Sequence, residues 1–378
     1  MEIFPVYNRF AIEPVQGKGP YLWDDKGNKY LDFYGGHAVI SVGHAHPKFV
    51  QDIQHQAGNL GYYSNAVPNR LQNNLAEKLG SLSGYTDYQL FLCNSGAEAN
   101  ENALKLASFQ NDRKKIIAFK GGFHGRTSAA VNVTDNPDIQ APINRNLDVR
   151  ILPLNDYDAL IQALSNDVSA VIIEGIQGIG GVHIPEPEFL QLIRKLCNET
   201  GVFLILDEIQ SGYGRSGRFF AHQASGIRPD LITVAKGMGN GFPIAGVLIS
   251  PEFQAQPGML GSTFGGNHLA CTAGNAVLDI IEAENLMKNS DEIGHYLLNK
   301  IKAMRPSVTD VRGLGLMIGI ELPFQAGEIR KKLLHEHHIF TGSSAEKNTL
   351  RILPPLSITR AHADQFLQAL TITLSDYE

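Results

Sequence analysis

Two charged residues in the middle of the chain each come directly after an apolar run. Asp207 follows residues 202–206 (VFLIL), and Lys236 follows residues 231–235 (LITVA). Burial lowers the pKa of a lysine and frees its amine to attack a carbonyl and form a Schiff base. A buried carboxylate requires a partner, and a protonated pyridine nitrogen is a suitable one. Taken singly, each residue has a plainer explanation. Lys236 could be a lysine whose stem reaches solvent, and Asp207 could be a helix cap or a turn residue.

Two further segments would add an anion cradle and an aromatic ring. Asn94–Ala97 precede a predicted helix, whose first N–H groups and dipole favour phosphate, although the segment alone is equally a plain helix cap. Gly121–Gly125 follow the apolar run 116–119 and contain Phe123 and His124. Singly, these two would be a core aromatic and a hydrogen-bonded structural histidine. An acid, an amine, an aromatic ring and an anion cradle together suit few cofactors.

The elements that would position these residues are short buried strands separated by helices. Amphipathic runs predict helices at 97–110 and 188–200, and apolar runs predict strands at 116–119, 168–173, 202–206, 231–235 and 245–249. Continuous apolar strands alternating with helices indicate a parallel sheet covered on both faces. Ligands bind beyond the carboxyl ends of such strands, which is where Asp207 and Lys236 stand.

The two ends of the chain have a different pattern. Residues 21–34 predict a hairpin with a turn at 25–28. Residues 290–378 predict helix, strand (Leu316–Glu321), helix, strand (Leu350–Leu353) and helix. We therefore predict a large central α/β domain over residues 46–288 and a smaller domain built from residues 1–45 and 289–378.

Composition argues against several other classes of protein. The 378 residues include 32 Lys and Arg against 38 Asp and Glu, a net charge of −6, whereas nucleic-acid binders usually carry a basic face. Three scattered cysteines (Cys93, Cys197 and Cys271) predict neither a disulfide framework nor a zinc site. The first residues lack a signal-peptide pattern, and no apolar run approaches the roughly 18 residues that span a bilayer. We expect a cytoplasmic protein that binds neither nucleic acid nor membrane.

Five motifs in a fixed order resemble the class III (ornithine-type, subgroup II) pyridoxal-phosphate aminotransferases. They are Asn94–Asn100 (NSGAEAN), Phe123–Thr127 (FHGRT), Asp207–Gln210 (DEIQ), Lys236-Gly237 and Gly261–Asn267 (GSTFGGN). The FHGRT segment and the short amino terminus point to acetylornithine and succinylornithine aminotransferases. The resemblance implies the aspartate-aminotransferase-like fold type I of pyridoxal-phosphate enzymes, with a large, mostly parallel sheet domain and a small α+β domain.

The resemblance also implies pyridoxal 5'-phosphate as the cofactor and gives each motif residue a role. Lys236 would form the imine with the cofactor and shuttle the proton, while Asp207 would pair with the pyridine nitrogen. Phe123 would stack on the ring, and Gln210 would hydrogen-bond its phenolic oxygen. The phosphate would be bound by the backbone N–H groups of Gly96 and Ala97 and by Thr263 of the partner subunit.

Reaction and assembly follow from the same resemblance. Arg126 would hold the α-carboxylate of an acylated ornithine, Arg351 that of glutamate or 2-oxoglutarate, and Ser262 would lie near the substrate. The enzyme would move the terminal amine of N-acetyl- or N-succinyl-ornithine to 2-oxoglutarate in arginine biosynthesis, as a homodimer with active sites at the interface. Ornithine, 4-aminobutyrate and lysine derivatives are alternative donors, because one methylene or one hydrogen bond separates them.

Two positions depart from the family pattern. The family usually has a glutamate in a Gln-Gly-Glu-Gly-Gly run that pairs with the second arginine, whereas this chain has Ile179, which cannot neutralise Arg351. We therefore expect Arg351 to find another anion, such as the carboxylate of a succinyl group. His37 stands where relatives are usually apolar; besides a place in the pocket, a histidine packed by the sheet is the simpler interpretation.

Other functions have less support from the residues. Gly212–Gly217 fit the dinucleotide pattern Gly-x-Gly-x-x-Gly, but no apolar helical period follows them. His44 and His46 are two apart in a loop and have no evident third ligand, so no metal site is expected. Decarboxylases and racemases use the same cofactor, but two arginines for two carboxylates favour amine transfer. A non-catalytic binding protein would have no need for both Lys236 and Asp207.

Overall fold

The computed structural model describes residues 1–145, 147–304 and 306–377, and these contain fifteen strands. In chain order the strands are β1 (Pro14–Lys18), β2 (Tyr21–Asp24), β3 (Lys29–Asp32), β4 (Gln89–Cys93), β5 (Lys115–Phe119), β6 (Val149–Leu152), β7 (Val168–Glu174), β8 (Phe203–Asp207), β9 (Leu231–Val234), β10 (Ala245–Ile249), β11 (Asp310–Leu314), β12 (Met317–Glu321), β13 (Ile339–Phe340), β14 (Gly342–Ser343) and β15 (Thr349–Ile352). The predicted central strands are confirmed within one or two residues.

The helices lie between these strands and at the carboxyl terminus. They are α1 (Gly35–Ala38), α2 (Pro47–Asn59), α3 (Arg70–Ser83), α4 (Gly96–Asn111), α5 (Ser128–Asn132), α6 (Tyr157–Ala163), α7 (Pro187–Thr200), α8 (His268–Ala283), α9 (Leu286–Lys302), α10 (Gly327–His335) and α11 (Arg360–Ser375). The predicted helices at 97–110 and 188–200 are confirmed as α4 and α7. Helix α7 ends where Gly201 adopts a left-handed conformation with φ 65°.

The central sheet has seven strands in the order β4-β10-β9-β8-β7-β5-β6. Strand β10 is antiparallel to both of its neighbours, β4 and β9, so the sheet is mostly but not entirely parallel. Residues 235–244 connect β9 to β10 and are too few for the crossover helix that a parallel neighbour requires. The edge strands β4 and β6 were not predicted.

Both faces of this sheet are covered, as the apolar strands predict. In β5, Ile116 and Ala118 pack with the apolar face of α4, while Ile117 and Phe119 pack with Phe189 of α7 on the opposite face. All seven residues of β7 are buried. A strand buried on both faces is apolar at every position, which is why these runs show no alternation.

The two chain ends build two further sheets of four strands each. One has the order β1-β2-β3-β13 and includes the predicted hairpin β2–β3; the other has the order β11-β12-β15-β14. Strand β13 pairs parallel with β3, so residues near 340 complete a sheet begun near residue 30. The division into domains at residues 45 and 288 stays a prediction.

A close contact between α9 and the β11–β12 turn generates a stability prediction. A Cβ added at Gly294 would lie 2.1 Å from the carbonyl oxygen of Gly315, whereas one added at Gly327 would meet nothing within 4 Å. We expect Gly294→Ala to lower the free energy of unfolding by about 1–3 kcal/mol, because the turn backbone must shift. Gly327→Ala, at the start of α10, should change it by less than about 1 kcal/mol. Urea unfolding of both variants checks this, and equal stabilities would contradict it.

Candidate active site

The predicted chemical residues surround one cavity at the carboxyl ends of the central strands. The cavity has a volume of about 390 Å³, within the range of small-molecule sites. Loops after β4, β5, β7, β8 and β9 contribute its walls. The residues expected to act there that line it are Gly96, Ala97, Phe123, Arg126, Asp207, Gln210 and Lys236.

The carboxylate of Asp207 is fixed by three donors. Its Oδ2 accepts hydrogen bonds from Nδ1 of His124 and Nδ2 of Asn100, both at 2.8 Å, and its Oδ1 accepts from the backbone N–H of Ile209 at 3.0 Å. Asp207 is 3% exposed. His124 is thus a hydrogen-bonded histidine, as expected, and its partner is the candidate catalytic acid.

Asn100 is a positioning residue that sequence reasoning did not single out. It lies in α4, is fully buried, and its Nδ2 bonds both Asp207 and the carbonyl of His124. Nothing in its helical spacing distinguishes it from a core residue. A buried amide among apolar positions of a helix was the one available signal, because such a group requires partners.

Lys236 begins a short 3-10 turn directly after β9 and lines the cavity. Its φ is 46°, in the left-handed region that non-glycine residues rarely adopt. Desolvation lowers the pKa of its amine and outweighs the negative charges of Asp207 and Glu174, which raise it. An amine with a lowered pKa is the better nucleophile near neutral pH.

The amino terminus of α4 provides the expected anion cradle. Ser95 caps the helix by accepting from the N–H of Glu98, and the Glu98 carboxylate accepts in return from the N–H of Ser95. Within the described part of the chain, the N–H groups of Gly96 and Ala97 have no acceptor and border the cavity. Free N–H groups at a helix start bind phosphate well.

A buried glutamate ties two cavity loops together. Glu174 accepts from the N–H of Phe123 and from the N–H of Gly178, each at 2.9 Å. Burial raises the pKa of this carboxyl to about 7. Glu174 pairs in register with Asp207 on the neighbouring strand. The rule that found Asp207, a polar residue closing an apolar strand, would have found Glu174 as well.

Arg351 lies in β15, is 2% exposed, and has no carboxylate partner among residues 1–145, 147–304 and 306–377. Its Nε donates to the carbonyl of Ser343 at 2.5 Å and its Nη1 to Oε1 of Gln210 at 3.3 Å. Gln210 in turn donates to the carbonyl of His37 at 3.1 Å. Among the described residues, the hydrogen-bond partners of this buried guanidinium are therefore neutral, while the negative charge of Glu174 acts on it without a hydrogen bond.

The expectation that His37 packs against the sheet is wrong. His37 belongs to α1, whose four residues all have positive φ, and its side chain is exposed and hydrogen-bonded to the Tyr34 hydroxyl. Partial desolvation, then the charges of Arg351, Lys236 and Arg330, lower the pKa of His37 to about 4. Four successive left-handed residues turn the side chain outwards, and a single sequence does not reveal that backbone.

Three predicted substrate or phosphate residues lie at the margin. Arg126 is exposed at the cavity mouth, and no partner is found for it within the described residues. Ser262 accepts from Nδ2 of Asn94 at 3.0 Å but does not line the cavity. Thr263 is exposed and also lies outside it. Neither Ser262 nor Thr263 completes the site of its own chain.

The alternative motifs do not form sites. Gly212–Gly217 form turns around a fully buried Arg215, which donates to the carbonyl of Leu316, and no helix opens from them. His44 is paired with Asp32, and His46 with a glutamate of the α8–α9 connection. The described residues contain no cluster of three metal-ligating side chains and no helix long and apolar enough to cross a membrane.

Comparison with known proteins agrees with this geometry. The family model "Aminotransferase class-III" matches residues 5–374. The acetylornithine aminotransferase of Caldanaerobacter subterraneus subsp. tengcongensis is 40% identical, over 99% of this chain and 97% of that protein. The acetylornithine aminotransferase of Methanocaldococcus jannaschii is 39% identical, over 97% and 94% of the two chains.

Solved structures show the same architecture. The ornithine aminotransferase of Toxoplasma gondii ME49 superposes with a TM-score of 0.93 at 28% identity, covering 99% of this chain and 93% of that one. A transaminase from the marine bacterium Virgibacillus gives a TM-score of 0.91 at 26% identity, covering 99% and 96%. The predicted fold class is confirmed by these likenesses.

The lowered pKa of Lys236 generates a stability prediction. Burying the charged amine lowers the free energy of unfolding. This loss of stability is complete below the pKa that Lys236 has in the folded protein, and it disappears as the pH approaches the ordinary pKa of 10.5. We expect cofactor-free Lys236→Met to be more stable than wild type at about pH 7.5, with the difference shrinking towards about pH 10. Thermal unfolding at both pH values tests this; a variant less stable than wild type at the lower pH would contradict it.

Proposed function

The chain belongs to the class III aminotransferases, and from that premise we propose that it moves the terminal amine of an N-acylated ornithine to 2-oxoglutarate, giving the semialdehyde and glutamate. The observation that carries this proposal is the meeting of Lys236, Asp207 and the free N–H groups of α4 in one cavity. The activity named for the 40%-identical relative supports the choice of donor.

Pyridoxal 5'-phosphate fits the residues present. The unpartnered N–H groups of Gly96 and Ala97 suit its phosphate, the fixed carboxylate of Asp207 suits a protonated ring nitrogen, and Phe123 offers a ring face. Gln210 has a second amide hydrogen beyond the one given to His37, which suits the phenolic oxygen. When bound, the cofactor supplies a ring that withdraws electrons from the carbon bearing the amine.

The chain's own residues then perform the proton transfers. The amine of Lys236 would take the proton from the substrate carbon that bears the amine and would hold it for the return transfer. Asp207 keeps the ring nitrogen protonated, and His124 and Asn100 hold its carboxylate in one orientation. Positioned groups of this kind require no reorganisation at the moment of reaction.

Two arginines give the site its preference for carboxylates. Arg126, at the mouth, would bind the α-carboxylate of the acylated ornithine. Arg351 does not line the cavity but is hydrogen-bonded to Gln210, which does, and it would bind the α-carboxylate of 2-oxoglutarate or glutamate. The guanidinium fork binds a carboxylate through two parallel hydrogen bonds. Arg351 has a terminal nitrogen beyond the one bonded to Gln210, so such a ligand finds a donor ready.

We further propose that the acyl group of the donor carries its own carboxylate, as a succinyl group does. Arg351 is buried without a salt-bridge partner among the described residues, and Arg330 and Lys236 add positive charge around His37. Burial lowers the pKa of Arg351 and outweighs the negative charge of Glu174, which raises it, so the pKa stays below its ordinary value. A buried cation without a counterion is costly, and an anionic donor would relieve that cost. An acetyl group carries no charge and would not offset the cost of burying the Arg351 guanidinium.

Assembly and location are also proposals. We expect a homodimer in which Thr263, exposed in the single chain, completes the phosphate site of the other subunit, with Ser262 beside the substrate. The exposed aromatic rings of Tyr62 and Phe264, whose centroids are 5.5 Å apart, suit such an interface. Three free, buried cysteines suit the reducing cytoplasm, where arginine biosynthesis would use this reaction.

The reaction itself is tested with a panel of amine donors. We expect turnover with N-acyl-ornithines and 2-oxoglutarate, and none in Lys236→Ala, because the nucleophile and the base are both removed. Asp207→Asn should lower kcat on the order of 10²-fold. Lys302→Ala, an exposed lysine in α9, is the matched control and should behave as wild type. Appreciable turnover by Lys236→Ala, or turnover with ornithine or 4-aminobutyrate only, would refute the proposal.

The acyl preference is tested at position 179. We expect a higher kcat/KM for N-succinyl- than for N-acetyl-ornithine in the wild type. Ile179→Glu should shift that ratio towards the acetyl donor by about tenfold, because a resident carboxylate then competes for Arg351. Ile179→Gln is the matched neutral control and should leave the ratio near that of wild type. A strong preference of the wild type for the acetyl donor would refute the succinyl proposal but would leave the proposed amine transfer unaffected.

A further inference from the structure

The turn that follows Lys236 has an unusual backbone. Lys236 and Asn240 have φ values of 46° and 47°, in the left-handed region that side chains other than those of asparagine and aspartate rarely adopt. Lys236 is the first residue of a single 3-10 turn, Lys236–Met238, which ends two residues before Asn240. A strained backbone of this kind persists only where contacts outside the turn hold it in place.

Those contacts come from residues 41–43, which are some 199 positions earlier in the chain. Oδ1 of Asn240 accepts from the N–H groups of Ser41 at 2.9 Å and Val42 at 3.1 Å, and its Nδ2 donates to the carbonyl of Gly43 at 2.9 Å. Oγ of Ser41 donates to the carbonyl of Gly237 at 2.7 Å. These four bonds, here called the Asn240 clamp, join the amino-terminal loop to the lysine turn.

The clamp is shielded from water. Ser41 is 2% exposed and Asn240 is 6% exposed, so their hydrogen bonds have no solvent competitor. The carbonyl of Ser41 also accepts from the N–H of Leu356 at 2.7 Å, which anchors the loop to the carboxyl-terminal part of the chain. The lysine turn is therefore held from outside its own sheet.

We propose that Asn240 and Ser41 are positioning residues for Lys236, and that the Asn240 clamp sets the direction in which its Nζ meets the substrate carbon. This inference rests on the proposed role of Lys236 in moving the proton. Released from the clamp, the turn would relax towards right-handed φ values and carry Nζ away from the reacting carbon. Arg126 and Arg351 stand on other elements, so binding of the donor would be spared.

Two variants remove the clamp in different ways. Ser41→Ala deletes only the hydroxyl bonded to Gly237, while Asn240→Gly keeps the freedom to adopt positive φ but loses three hydrogen bonds. We expect each to lower kcat by about 10- to 100-fold with a nearly unchanged KM for the donor, since a misplacement near 1 Å costs a rate of that order. Asn240→Asp retains an oxygen that can accept from the N–H groups of Ser41 and Val42, so its kcat should lie closer to that of wild type than the kcat of Asn240→Gly.

A spectroscopic readout separates positioning from mere folding. We expect the visible absorbance of the holoenzyme to titrate with pH, and its midpoint to shift in Ser41→Ala and Asn240→Gly, because the midpoint would depend on how Lys236 is held. The matched control is Asn155→Gly, which changes another left-handed asparagine (φ 58°) whose Oδ1 accepts from the N–H of Glu186. That variant should keep the wild-type kcat and midpoint.

The outcomes distinguish this inference from the proposed function. Should Ser41→Ala and Asn240→Gly lose thermal stability while keeping the wild-type kcat and absorbance midpoint, the clamp is structural only and the inference is wrong. Ser41→Ala removes a single oxygen atom, so it keeps the question decidable even where Asn240→Gly does not fold. A wild-type protein without visible absorbance or amine transfer would instead overturn the proposed function.

Discussion

The burial of one carboxylate is the constraint on which the active-site region depends. Asp207 ends a fully apolar strand, where an unpartnered charge would be costly. Its compensation comes from three different parts of the chain: Asn100 in α4, His124 in the loop after β5, and the N–H of Ile209. Satisfying this single group therefore brings the helix, the glycine-rich loop and the sheet edge to fixed positions, and the cavity is the space left between them.

A second feature of the site is its uneven distribution of charge. Glu174 and Asp207 lie side by side at the strand ends, whereas the hydrogen-bond partners of Arg351 among the described residues are neutral. Ile179, in the loop after β7, carries no charge that could pair with that cation. A site built in this way discriminates through the charge of its ligands more than through their size, since a misplaced charge costs more than a misplaced methylene.

The sequence predicts the central strands and the candidate catalytic residues because both follow from one rule. Parallel strands buried on both faces are apolar throughout, and polar residues at their carboxyl ends meet at one edge, as Asp207 and Lys236 do. The edge strand β6 (Val149–Leu152) was not predicted, because exposed Arg150 interrupts its apolar run. The left-handed turn at His37 and the hydrogen bonds of Asn240 were not predictable either, since they depend on contacts between residues far apart in the chain.

The parallel pairing of β3 with β13 has a consequence for the order of events during synthesis. The strand at residues 29–32 pairs early with β2, but it finds its second neighbour only when residues 339–340 have left the ribosome, and Arg351 follows later still. The nascent chain can form β5 to β10 early, but the sheet that adjoins the amino-terminal loop is completed only when β13 is available. Contacts of such long range form slowly. The sheet of β1, β2, β3 and β13 is therefore completed late, and a chain terminated before residue 339 would contain Asp207 and Lys236 but neither β13 nor Arg351.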